Sequence, residues 1–191
     1  MADYIDNPRG LSGGRRCTLA LVLAHETGHR IGSIRLLRWS DVDLSTRVIR
    51  WRGENDKIGF EHETPLTGDA VAALDAARRE NPSLGDAWIF ATPGKSDEPP
   101  SRHLFRDWWG RMERVAGLAP VSGRGWHSLR RQFATELKHT PLRDLCHLGG
   151  WKDPQTVLKC YQKADEATMR AALETRASLH PNGLFARSRS A

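Results

Sequence analysis

A chain of 191 residues suffices for one well-packed domain rather than two, and 39% hydrophobic with 27% charged residues fits a soluble globular protein. No uninterrupted apolar run approaches a membrane span, and the N-terminus lacks the basic start and apolar stretch of a secretory signal. Net charge is +6 but uneven: residues 1–100 carry −2 and residues 101–191 carry +8, which suits either a polyanion partner or a solvated surface. Cys17, Cys146 and Cys160 form neither a dense framework nor a Cys-x-x-Cys pair, so reduced thiols in a cytoplasmic protein are expected.

Residues 1–16 read as a Gly/Pro-punctuated lead-in. Helical spacing of Leu19, Ala20, Leu23 and Ala24 predicts a helix from Cys17 to Glu26, interrupted by Gly28, with a second helical stretch near Ile31–Leu37. Arg47 to Arg52 alternates charged and apolar residues, as a half-buried strand does. Gly53-Glu54-Asn55-Asp56 supplies a turn, and one or two short strands follow up to Leu66. Thr67 or Asp69 can cap a helix from Ala70 to Glu80. Ala87–Phe90 is a short apolar segment, and a polar, Pro-rich loop spans Lys95–Pro100. Further helices are expected at His103–Ala116, Trp126 to about Lys138, Pro141–Leu148, Pro154–Tyr161 and Asp165–Leu179. A basic tail, 181–191, ends the chain. The fold class is therefore mainly α with a small antiparallel β-sheet (α+β).

Three boxes stand out. The first is Glu26-Thr27-Gly28-His29-Arg30-Ile31, followed by Leu37-Arg38-Trp39-Ser40-Asp41-Val42-Asp43-Leu44. The second is His127-Ser128-Leu129-Arg130-Arg131, followed by Ala134-Thr135. The third is Leu148-Gly149-Gly150-Trp151, with Thr156 and Tyr161 after it. Together they resemble the catalytic domain of the tyrosine recombinases (phage integrases), from about Cys17 to Tyr161. Lys57 precedes Pro65-Leu66 by eight residues, the spacing of that family's catalytic lysine.

The resemblance implies a DNA strand transferase that needs neither metal, cofactor nor ATP. Arg30 and Arg130 would clamp the scissile phosphate, since a guanidinium is always charged and grips two oxygens with a planar fork. Tyr161 would be the nucleophile; phenols in general ionise near ~10, so it needs activation. Attack would leave a 3′-phosphotyrosine that conserves the energy of the broken strand. Lys57 would protonate the leaving 5′-oxygen, and His127 would bond the phosphate and assist proton transfer. Trp151 occupies a position that is often histidine; its indole N–H donates but cannot shuttle a proton. The implied partner is double-stranded DNA, with a homotetramer on synapsed duplexes and a monomer in isolation both left open. No membrane association is implied. The catalytic domain would span 17–180, with the family's N-terminal core-binding domain absent.

Each residue also has a plain reading. Arg30 suits a helix surface, Lys57 a solvated hairpin, His127 a helix N-terminus, Trp151 a core and Tyr161 a half-buried helix end. Two departures from the family pattern bear on function. The usual acid three residues after the first arginine is Ser33, so Arg30 needs another partner. Trp151 to Tyr161 is one residue longer than usual, which on a helix would rotate the tyrosine by about 100° unless the Lys152-Asp153-Pro154 loop absorbs it. A DNA-binding domain of the same fold with a degraded active site is the alternative. A zinc metallopeptidase is the other rival, because His25-Glu26-Thr27-Gly28-His29 matches His-Glu-x-x-His. Gly28 weakens the unbroken helix that motif requires, and Arg35 stands where a third ligand would be.

Overall fold

The computed structural model describes residues 11–56, 59–80, 82, 85–91, 98–161 and 165–178. Its helices are α1 (Leu11–Thr27), α2 (Ile31–Arg35), α3 (Gly68–Glu80), α4 (Arg102–Val115), α5 (Trp126–Glu136), α6 (Leu142–Gly149), α7 (Pro154–Cys160) and α8 (Glu166–Ser178). One antiparallel sheet joins β1 (Val42–Asp43), β2 (Val48–Trp51) and β3 (His62–Pro65) in that order. The mainly helical class with a small antiparallel sheet is therefore observed. Among the described residues no helix is long and apolar enough to cross a membrane.

Helix α1 is the central element. Leu19, Ala20, Leu23 and Ala24 recur on one face and are buried. It packs against α3, α4 and α5. It begins at Leu11, so the expected lead-in to residue 16 is too long. Gly13 and Gly14 argue against a helix locally, but tertiary contacts override them: Arg15 pairs with Glu80 and Arg16 donates to the Ala91 carbonyl. Gly28 stops the helix at φ 63°, a left-handed conformation that glycine adopts without strain. A Cβ there would also overlap the Phe133 ring.

In β2 the side chains alternate as expected: Ile49 and Trp51 are buried, while Arg50 faces solvent and pairs with Glu61. Trp51 lies opposite His62 in the register, and its indole donates to Thr64 Oγ1 at 2.9 Å. The box after Arg38 is structural. Trp39 is buried, and Asp41 accepts from the Arg38 backbone at 2.9 Å and from Arg52 Nε at 2.5 Å. Thr67 caps α3 through the Ala70 N–H, and Asp153 caps α7 ahead of Pro154.

The buried apolar residues fall into two clusters. The larger joins α1, the sheet, α3 and α4 around residues such as Leu23, Ile49, Leu74 and Phe105. The smaller comprises Ala134, Leu145, Cys146, Trp151 and Val157, with Tyr161 packed against it. The candidate residues gather where the two clusters meet.

Candidate active site

Arg30 is the residue just outside the N-terminus of α2, held there by the turn at Gly28. Its Nη1 lies 3.3 Å from Asp56 Oδ2. Asp56 follows the short turn Gly53–Asn55 between β2 and β3, and its side chain is largely buried. Ser33, where the resemblance wants an acid, turns its hydroxyl to the Asn55 carbonyl at 3.5 Å, and Asn55 Nδ2 donates to the Leu36 carbonyl at 3.2 Å. The loop before Lys57 is thus stitched to α2, and it brings the carboxylate that position 33 lacks. Lys57 itself lies outside the described residues.

Arg130 projects from α5 into the seam between the clusters and is 1% exposed. Its Nη1 donates to the Gly28 carbonyl at 2.7 Å and to the Gly149 carbonyl, and Nη2 reaches the Gly150 carbonyl at 3.5 Å. The guanidinium carbon sits 3.8 Å from the centroid of the Trp151 ring. Burial, then the nearby Arg30, pushes the guanidinium down to about 9, while the Tyr161 hydroxyl acts the other way. It remains a full cation at neutral pH. Gly150, at φ 65°, ends α6 and turns these carbonyls inward.

His127 lies in the first turn of α5, and its Nε2 is 3.1 Å from the Tyr161 hydroxyl. Burial, followed by Arg130, Arg131 and Arg30, holds this imidazole below its ordinary range. A neutral ring can accept the phenolic proton. Tyr161 is not the last residue of a helix, as expected, but the residue after it: α7 ends at Cys160, and Tyr161 departs with φ −127° and ψ −27°. As the C-cap it still donates its N–H to the Val157 carbonyl, and with the additional residue in place its hydroxyl reaches His127. Trp151 is a buried platform, with Arg130 above and the Tyr161 ring 5.6 Å away.

Arg30, His127 and Arg130 line one cleft of about 520 Å³ together with Asp56, Arg35 and Arg102. Such an arrangement concentrates positive charge around one buried donor set and places a hydroxyl against a base. The sequence marked Asp56 only as a turn residue and did not reveal that His29 and His62 meet. Their rings meet beneath the site with Nε2 atoms 3.0 Å apart. Only the proximity of Asp56 to Lys57 hinted at a function, and nothing local marks the histidines.

The His-Glu-x-x-His pattern does not sit on one helix. His25 is near the end of α1 and bonds Glu26, whereas His29 lies past Gly28, buried and stacked on Trp51 at 3.5 Å. Among the described residues, no group of three or more His, Cys, Asp or Glu side chains is placed to hold a metal ion.

Comparison with known proteins bears on the family and the fold. The model of the phage integrase family matches residues 4–168. The chain is 31% identical over 144 residues to prophage integrase IntF of Escherichia coli (strain K12), covering 72% of this chain and 28% of that protein. It is 26% identical over 158 residues to tyrosine recombinase XerC of Xanthomonas axonopodis pv. citri (strain 306), covering 80% of this chain and 48% of that one. The chain therefore spans less than half the length of either relative. The Tn1549 transposon integrase, solved with circular intermediate DNA, superposes with a TM-score of 0.69 at 18% identity, over 92% of this chain and 64% of that one. With the family match extending over most of its length and the same fold in the transposon enzyme, this chain belongs to the phage integrase family.

Proposed function

We propose that this chain is the catalytic part of a site-specific DNA recombinase, which cleaves and rejoins duplex strands through a 3′-phosphotyrosine on Tyr161. The observation that carries this reading is the Tyr161 hydroxyl 3.1 Å from the Nε2 of a histidine whose charged form is disfavoured, beside two arginines at one cleft. Two buried donors, Arg130 Nε and Trp151 Nε1, have no acceptor among the described residues.

In this reading Arg30, held by Asp56, and Arg130, held by three carbonyls, grip the non-bridging oxygens and stabilise the charge that grows there. Tyr161 attacks phosphorus as its proton passes to His127. The P–O5′ bond breaks, and Lys57 supplies the proton that the leaving 5′-oxygen takes up. Reversal by another strand's 5′-hydroxyl restores the phosphodiester without ATP. Asp56 gives Arg30 the partner that Ser33 does not supply, which supports this reading over a degraded site.

Four protomers on two duplexes would complete the reaction. Helix α8 has no buried residue and turns Met169 and Leu173 to solvent, which supports packing against a neighbouring copy.

The test is a nicked duplex that traps the covalent intermediate, resolved on a denaturing gel beside Tyr161→Phe. The expected result is a protein–DNA adduct absent from the variant. DNA binding without any adduct, even after an N-terminal DNA-binding domain is joined to the chain, would replace this reading with a binding module of the same fold.

A further inference from the structure

Behind the carbonyls that hold Arg130 lie two histidines that the reaction above does not use. His29 is wholly buried, and His62 faces it from β3. His29 Nδ1 is 3.0 Å from the Thr27 carbonyl, and His62 Nδ1 is 3.3 Å from the Phe60 carbonyl. A carbonyl only accepts, so each Nδ1 carries a hydrogen. A neutral imidazole has one N–H. Two neutral rings in these positions would therefore oppose two lone pairs across the 3.0 Å between their Nε2 atoms. One more hydrogen turns that contact into an N–H···N bond. The arrangement is complete with three protons on two rings, and hence with one positive charge.

The two rings also touch the turn that carries Arg130. A methyl group on Gly150 would stand 2.9 Å from His29 Nε2 and 3.0 Å from His62 Cε1. His29 directly follows Gly28, whose carbonyl is another of the Arg130 acceptors. We propose that His29 and His62 are positioning residues, whose shared third proton ties the Gly28 turn, β3 and the Gly149–Gly150 turn into one cradle for Arg130.

The surrounding charges decide when that proton is taken. His29 is faced by His62, by Arg130 of α5, by Arg30 and by the Trp51 ring of β2. His62 is faced by His147 of α6, by Asp56 and by Arg130. Burial disfavours charge on both rings, and the arginines and neighbouring histidines add to that; the Thr27 carbonyl opposes it at His29, and the Phe60 carbonyl, then Asp56, oppose it at His62. A phosphate between Arg30 and Arg130 offsets the arginine charge. Anion binding then draws in one proton and tightens the cradle.

The proposal relies on the recombinase reading for its DNA and activity measurements, and not for the titration of the free chain. With ¹⁵N-labelled histidine in the intact chain and no DNA, both Nδ1 atoms should be protonated and both rings should titrate with one common midpoint. A short duplex should move that midpoint upward. Separate midpoints, or a bare Nδ1 on either ring, would overturn the pairing. In the nicked-duplex assay, His62→Val should slow adduct formation about tenfold, the loss of one hydrogen bond. His62→Gln places a neutral N–H near the same point; it should recover most of that loss and remove the pair's contribution to the pH profile. Wild-type rates and pH profile in His62→Val, with Tyr161 adducts intact, would overturn the positioning role while leaving the recombinase reading standing.

Discussion

Arg130→Lys separates what the fold asks of this residue from what the reaction asks. Lysine keeps the positive charge, so the cost of burying a cation remains. Its nitrogen ends one bond short of the position that Arg130 Nη1 occupies, out of reach of the Gly28 carbonyl at 2.7 Å and the Gly149 carbonyl together. It also lacks the planar face that lies 3.8 Å from the Trp151 centroid. Hydrogen bonds from a charged donor contribute roughly 1.5–3 kcal/mol each, and a desolvated cation–π contact about 2 kcal/mol. If a side-chain shift recovers one of the two bonds, about 4 kcal/mol is lost. For a chain of this size that lowers Tm by roughly 8–16 °C. Urea unfolding followed by tryptophan fluorescence measures it, with Tyr161→Phe as the reference. That variant loses the hydroxyl's contacts with the exposed His127 and with Arg130 and should stay within about 1.5 kcal/mol of the unmodified chain, well short of the Arg130→Lys loss. If Arg130→Lys unfolds at the wild-type midpoint with an unchanged slope, the carbonyl cradle does not hold the arginine and the structural half of its role is wrong.

Three more consequences are open to direct measurement. Asp56→Asn removes the carboxylate that orients Arg30; adduct formation should slow by about tenfold or more with little change in Tm, because the ion pair is partly exposed on the arginine side. A wild-type rate would leave Arg30 needing some other support. The His127 imidazole is held below its usual value near 6.5, first by burial and then by Arg130, Arg131 and Arg30. The neutral form is the base, so its contribution is complete above 6.5 and is lost as pH falls through the lower folded value; in the His62→Gln background, where the histidine pair no longer titrates, single-turnover rates should hold at pH 6.5 and drop only below it. A drop beginning well above 6.5 would contradict this environment. Gly28→Ala combines a left-handed backbone with overlap on the Phe133 ring and should destabilise the fold by about 3 kcal/mol in equilibrium denaturation; a loss under ~1 kcal/mol would mean that the turn is not fixed as described.

Much of this arrangement was legible locally. The apolar spacing of Leu19, Leu23 and Ala24 marks α1, and period-two alternation marks β2, because each reflects one face turned to the core. Strand β1 was not legible: Val42–Asp43 is too short to carry a period and exists only by pairing with Ile49 and Val48. The start of α1 was hidden by two glycines that distant partners overrule. The order and spacing of Arg30, His127, Arg130, Trp151 and Tyr161 pointed to one site, and the structure brings these five together. Asp56 was not foreseeable as the partner of Arg30, because the pair is separated by 26 residues and meets only through the sheet and α2. The histidine pair is hidden for the same reason, with His29 and His62 lying 33 residues apart.

The placement of Arg130 has a consequence for assembly. Its carbonyl partners come from both sides of the seam: Gly28 closes α1 in the larger cluster, and Gly149 and Gly150 close α6 in the smaller one. Neither cluster alone can satisfy the guanidinium, and a buried cation without its acceptors costs several kcal/mol. The charge therefore favours a state in which both clusters have docked. Tyr161 already meets Trp151 within the smaller cluster and reaches His127 through α5, which contributes Ala134 to that cluster. Docking adds the Gly28 carbonyl and sets Arg30 at the same cleft, so a partly folded chain would present the hydroxyl without the arginine geometry. On the recombinase reading proposed above, completing the core would tie strand cleavage to the folded state, through the residue proposed to grip the phosphate.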